Sequence, residues 1–124
     1  HVDYHTALRG IELLEKNQDK PFFIAVGFLK PHSPPTAPKK FFDLHDPAKI
    51  ELPPDFAARP AAPAGFPPSS INPRSSDLFI GRDASPEEAR KVIQAYRASA
   101  SFTDWNVGRV LDALERLKRR VERG

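Results

Sequence analysis

Twelve of the fourteen prolines fall between residues 31 and 82. Proline has no amide donor and clashes with the preceding helical turn, so neither a helix interior nor a central strand survives that density. Regular structure is therefore confined to two stretches, residues 3–32 and 83–124. A chain of 124 residues is at most one domain.

The proline-rich stretch, 31–82, also carries single apolar anchors at Phe41, Phe42, Leu44, Ile50, Leu52, Phe56, Phe66, Ile71, Leu78, Phe79 and Ile80. Disordered linkers are poor in aromatic residues, so this stretch is predicted to be an ordered loop pinned onto another surface. Within it "PKKFFDLHD" reads as a short helical turn.

In the first stretch, "YHTALRGIELLEKNQDK" predicts a helix. Thr6 is the candidate N-cap, and Ala7, Leu8, Ile11 and Leu14 return at helical spacing. Gly10 weakens that helix by about 1 kcal/mol relative to alanine. "FFIAVGF", 22–28, is apolar without alternation, the pattern of a strand covered on both faces in a parallel α/β sheet. In the last stretch Ser85-Pro86-Glu87-Glu88 is a helix start with serine as N-cap, proline at the first position and a glutamate reaching back. Ala89, Val92, Ile93, Tyr96 and Ala100 share one face of the helix that follows. Val107, Val110, Leu114, Leu117 and Val121 continue the stripe, better suited to packing on a sheet than to a coiled coil.

A central strand needs a hydrogen-bonding neighbour on each side, and each buried unpaired backbone group costs about 1–3 kcal/mol. Only one such strand is legible; "DLFIG" at 77–81 is too short. The expected fold class is α/β, with the chain an internal segment of a larger α/β enzyme that folds poorly alone.

Charge and composition exclude several classes. Residues 116–124, "RLKRRVERG", carry a net +4, so the remaining 115 residues sum to −1. The basic end could touch nucleic acid or a membrane, but cations are also favoured at a helix C-terminus, and no aromatic residue is interleaved to stack on bases. There is no cysteine for a disulfide or thiolate site, and no apolar run approaching the roughly 18 residues of a membrane span.

Ligands in open α/β sheets bind beyond the carboxyl ends of the strands. Lys30 and His32 stand just past such an end. Pro31 biases Lys30 toward extended backbone, and side chains two apart on an extended chain point the same way. An ammonium and an imidazole could thus face one sulfate, phosphate or carboxylate; two solvent-facing side chains at a loop start are the alternative.

These same residues carry a resemblance. "KPFFIAVGFLKPHSPPTAPKKFFDLHDPAKIELPPD" resembles the central segment of sulfatases of the alkaline-phosphatase-like superfamily, in particular the iduronate-2-sulfatase-like branch, where a similar apolar strand runs into Lys-Pro-His. "YRASASFTDWNVGRVLDALERL", Tyr96 to Leu117, is similar to a helix of that family, with Asn106 where glutamine is usual and Trp105 where a smaller residue is common.

The resemblance implies that 1–124 is an internal part of an alkaline-phosphatase-like α/β/α sandwich, a catalytic domain that hydrolyses sulfate esters, sulfated carbohydrates among them. It implies calcium as cofactor and a formylglycine nucleophile made inside a Cys/Ser-x-Pro-x-Arg motif. It assigns His32 as catalytic and substrate-binding, contacting the sulfate near its bridging oxygen and assisting the leaving group. It places Lys30 in the same sulfate pocket as a substrate-binding residue, and makes Asp104 structural.

The departures from the family pattern are as informative. Neither Cys-x-Pro-x-Arg nor Ser-x-Pro-x-Arg occurs, nor the family's Asp-Asp and Asp-His metal pairs. Nucleophile and metal ligands are expected elsewhere in the catalytic domain, and no turnover is expected of this chain alone. The basic tail, 118–124, stands where the family continues into a loop and a buried strand. No compartment is readable from the residues; the family resemblance implies periplasmic, secreted or lysosomal proteins.

Other histidines read as ordinary surface groups: His1 and His5 near a helix start, His45 in a turn. Asp3, His5 and His45 match no standard metal spacing. Asp83 and Glu87-Glu88 are helix N-terminal acids, and no spacing supports Arg74 as a substrate contact. Two other functions stay open. One is a phosphatase or phosphodiesterase of the same superfamily, with a Thr or Ser nucleophile and two zinc ions. The other is an interaction module using its Pro-x-x-Pro spacings.

Overall fold

The computed structural model describes residues 1–59, 61–70 and 83–121. Helix α1 spans Val2–Lys16, a single turn of helix α2 spans Lys39–Phe42, and helix α3 spans Pro86–Val121; 3₁₀ turns lie at Pro47–Lys49 and Pro68–Ser70. The expectations placed on Ile71, Arg74 and 77–81 lie outside the described residues.

α3 begins as its sequence dictates. The Ser85 amide donates to Glu88 Oε2 at 3.0 Å and the Glu88 amide donates to Ser85 Oγ at 3.1 Å, the reciprocal pair of a capping box. Lys91 donates to Glu87 one turn on, at 2.7 Å. This hydrogen bond holds the Glu87 carboxyl below its ordinary range and Lys91 above its own. Both groups are exposed, so the pair contributes little to stability.

α1 starts earlier than Thr6. His1 is its N-cap residue, and Thr6 sits inside the helix with its hydroxyl donating to the Val2 carbonyl at 3.3 Å. Asp3, in the first turn, is buried instead of solvated. At the other end the Asn17 side chain donates to the Leu13 carbonyl at 2.7 Å, supplying a partner to a carbonyl the helix leaves orphaned.

Residues 22–28 form no β-ladder, and no strand occurs among the described residues. Yet from Ile24 the burial alternates with the period of a strand: Ile24, Val26 and Phe28 are half-buried, while Ala25, Gly27 and Leu29 are exposed. The covered face lies on α1, where a methyl group at Gly10 would come within 3.0 Å of Val26 Cγ2. Glycine at this helix position permits the close approach of the apolar segment. The other face is open, with Phe23 93% exposed. A strand exists only where another strand pairs with it, and none does among the described residues.

The core sits in the corner of α1, α2 and α3. Phe41, Ala98 and Phe102 are buried there, flanked by Ala37, Phe42 and Trp105. The Phe41 and Phe102 rings are 5.2 Å apart, and the His1 ring meets Phe102 edge-on at 4.5 Å. Trp105 stacks toward Phe102 and Tyr4. The Lys40 ammonium lies 4.2 Å and the Arg109 guanidinium 4.8 Å from its ring, both in the range of attraction to an aromatic face. Asn106 is fully buried and satisfied within its own helix, donating to the Phe102 carbonyl at 2.9 Å and accepting from Arg109 at 3.3 Å.

Two of the described anchors of the proline-rich stretch, Phe41 and Ile50, are buried, whereas Leu44 and Phe66 are exposed. Polar contacts also reach it from α3: Arg90 donates to the Ile50 carbonyl at 3.1 Å, Gln94 to the carbonyls of Phe42 and His45, and His45 Nε2 lies 2.9 Å from Ser101 Oγ. No helix among the described residues is long and apolar enough to cross a membrane.

Candidate active site

The apolar segment ends at a turn closed by the His32 amide donating to the Leu29 carbonyl at 3.1 Å. Two elements distant in sequence hold this turn. From the first turn of α1, the Asp3 carboxylate accepts the amide of Leu29 on one oxygen and that of Lys30 on the other, both at 2.9 Å. From the middle of α3, the Thr103 hydroxyl donates to the Lys30 carbonyl at 3.0 Å, and lies 3.2 Å from the Ser99 carbonyl of its own helix. Asp3 is 1% exposed. One backbone amide on each oxygen gives the buried carboxylate partners in place of water, and the positive end of α1 favours it further.

Lys30 is 6% exposed. Its ammonium donates to the carbonyls of His32 at 3.0 Å and Pro34 at 2.6 Å. The physical reason lies in the prolines: Pro31, Pro34 and Pro35 contribute no amide donors, so nearby carbonyls find their partner in a side chain. His32 is exposed, and its Nδ1 lies 2.7 Å from the Ser33 carbonyl. A carbonyl only accepts, so Nδ1 carries the proton of that bond. Nε2 is then left as an acceptor in the neutral ring and a donor in the protonated ring.

The structure brings Lys30 and His32 into one turn, not onto one extended face. The two-residue alternation of a strand ends where the chain turns after Leu29; the ammonium goes under the turn and the ring outward. Asp3 and Thr103 were not legible as site residues. Their partners are 26, 27 and 73 positions away, and neither sits in a motif that announces the contact.

The described residues do not fit the calcium ion that the family resemblance implies. No three His, Asp or Glu side chains gather to hold an ion among them, and Asp3 spends both oxygens on backbone amides. His45 is engaged by Ser101 and Asp3 by the turn, so Asp3, His5 and His45 do not form a ligand set. Asp104 is exposed on α3.

A sulfatase family model matches residues 3–121. The chain is 38% identical over 116 residues to a sulfatase of Formosa agariphila, covering 90% of this chain and 22% of that protein. It is 36% identical to human iduronate 2-sulfatase, covering 94% of this chain and 23% of the relative. It is 31% identical to a choline-sulfatase of Rhizobium meliloti, covering 86% of this chain and 21% of the relative. The match takes in α1, the Lys-Pro-His turn, the proline-rich loop and α3 together. The chain belongs to the sulfatase family, whose fold is alkaline-phosphatase-like. It spans about a fifth of the length of these relatives.

Proposed function

We propose that this chain is the segment of a sulfuric ester hydrolase that presents a sulfate-contacting histidine, His32, to the active site. The observation that carries the reading is the turn itself: Asp3 and Thr103 fix its backbone, and His32 extends from it with Nδ1 held and Nε2 free to meet an ester oxygen. A protonated Nε2 gives its proton to the bridging oxygen as the sulfuryl group passes to a nucleophile from the rest of the domain, so the S–O bond breaks and the alcohol leaves neutral. A sulfate anion in place of the ester would accept the same hydrogen bond. The segment 22–28 is the strand of an α/β/α sandwich, its open face covered by the rest of the catalytic domain. The nucleophile and metal ligands of that domain are contributed from outside the residues described.

The interaction-module reading is disfavoured by the loop's own contacts. Inside the Pro31–Pro38 spacings, the carbonyls of His32 and Pro34 already accept from the Lys30 ammonium. A Pro-x-x-Pro ligand offers its carbonyls to a partner's groove. The phosphatase alternative is decided by substrate. In the protein carrying this chain, an aryl sulfate is expected to turn over and the matching aryl phosphate is not. His32→Ala is expected to lower kcat on the sulfate by about 10²–10⁴-fold, the usual worth of a positioned acid. Wild-type turnover by His32→Ala would remove the proposal.

A further inference from the structure

We infer that Asp3, Lys30 and Thr103 are positioning residues for reaction at His32, with Lys30 acting as an internal strut of the turn and not as a sulfate ligand. The inference rests on the reading of His32 given above. Lys30 is the hub of the arrangement. Its amide is held by Asp3, its carbonyl by Thr103, and its ammonium by the carbonyls of His32 and Pro34. Every polar group of the residue is thus tied to a different piece of chain: the start of α1, the middle of α3, and the loop beyond the turn. The burial supports this division of labour, since Asp3 and Lys30 are 1% and 6% exposed while His32 is open to solvent. An ammonium that feeds two carbonyls beneath the turn is committed to the protein; the imidazole above it is available to a ligand. The clamp joins residues from positions 3, 30 and 103, so it forms only when α1, the turn and α3 are docked together.

The experiment uses the protein that carries this chain and measures kcat and KM on an aryl sulfate for Asp3→Asn, Lys30→Met and Thr103→Val. Each is also combined with His32→Ala, and amide exchange is followed at Leu29 and Lys30. Each single variant is expected to lower kcat by about 10²-fold, the scale of an ångström of misplacement, with KM little moved. Thr103→Ser, which keeps the hydroxyl, is expected to restore the rate. In the His32→Ala background the three substitutions are expected to cost nothing more, because they act through that ring. Losses that add to that of His32→Ala, or a raised KM for Lys30→Met that persists in that background, would overturn the positioning role and return Lys30 to the substrate. Wild-type turnover by His32→Ala would instead remove the reading on which the inference rests. Amide exchange decides the clamp independently. Asp3→Asn is expected to speed exchange at Leu29 and Lys30, and unchanged slow exchange would overturn the clamp whatever His32 does. Should Asp3→Asn fail to fold, Thr103→Val and its serine counterpart carry the same comparison.

Discussion

The side-chain amide of Gln94 donates to the backbone carbonyl of His45 at 2.7 Å, across 49 residues of sequence. The same nitrogen lies 3.2 Å from the Phe42 carbonyl. One glutamine on α3 therefore ties down the end of α2 and the turn after it, a turn that the His45 amide also closes onto the Phe42 carbonyl at 3.0 Å. Gln94→Leu keeps the bulk and removes the donor, leaving the part-buried His45 carbonyl short of a partner, while the Phe42 carbonyl keeps the His45 amide. Such a loss costs about 1–3 kcal/mol. Denaturant unfolding of the protein carrying the substitution is expected to show a loss in that range, and Gln94→Glu to show a similar one.

Phe102 is the second fixed point. It is 1% exposed and meets Phe41, Trp105 and His1. Phe102→Ala opens a cavity where three elements join, and such truncations cost about 3–5 kcal/mol. Phe102→Leu retains most of the volume and is expected to lose less. The three midpoints, compared by thermal unfolding, are expected to fall in the order wild type, leucine, alanine. Because Phe102 is one position from Thr103, the alanine variant is also expected to lower activity in proportion to lost folded protein, with KM unchanged in what remains.

The start of α3 offers a local test. Ser85→Ala removes the hydroxyl that accepts the Glu88 amide, a change that costs about 1 kcal/mol for N-cap serines. Ser85→Asp keeps an acceptor and is expected to be neutral. Amide exchange at Glu88 reads the difference directly: faster in the alanine variant, unchanged in the aspartate one.

The contrast between Ser85 and Asp3 shows what the sequence could reveal. The capping box is written within four consecutive residues, so spacing alone predicts it, and the one-turn helix at Lys39–Phe42 is legible for the same reason. Asp3 is an acid near a helix start in either reading; that it is buried, and serves amides 26 and 27 positions away, is a property of tertiary docking. Thr6 offers the hydroxyl an N-cap favours, yet the cap position belongs to His1. The apolar stripe of α3 shows a related limit. Val107 and Leu114 repeat as a packing face should, yet they are 38% and 44% exposed, while Ala98, Ser99, Phe102, Asn106 and Ala113 are the buried positions. Periodicity tells which face can be covered; it does not name the element that covers it. Lys30 and His32 were legible as chemistry-bearing residues, but the turn that separates their directions was not.

Gly10 carries a prediction of sign. Alanine would recover about 1 kcal/mol of helix propensity, but its methyl would press on Val26 at 3.0 Å. Val26 is β-branched and stiff, so the neighbour gives only by shifting the whole 24–28 segment. Overpacking of this kind costs about 1–3 kcal/mol. Gly10→Ala is therefore expected to be neutral or mildly destabilising despite the better helix former, and Gly10→Leu to be plainly destabilising. A gain in melting temperature for Gly10→Ala would show that α1 and the segment are not in contact as described.

The last prediction concerns the open face of that segment. Phe22, Phe23 and Leu29 are 45%, 93% and 53% exposed, and their backbone has no paired strand among the described residues. Apolar surface gathered along an unpaired edge associates with whatever similar surface it meets. Residues 1–124 expressed by themselves are expected to self-associate, eluting ahead of a 13.9 kDa monomer in gel filtration. Phe23→Lys places a charge at the most exposed of these positions, without touching α1 or the Asp3 clamp, and is expected to shift elution toward the monomer. In the protein that carries the chain, where this face is proposed to be covered, the same lysine would be buried without a partner and should lower stability. An opposite pair of outcomes, a monomeric wild-type chain and a harmless lysine in the carrying protein, would mean that the face is a solvated surface and not the exposed side of an unfinished sheet.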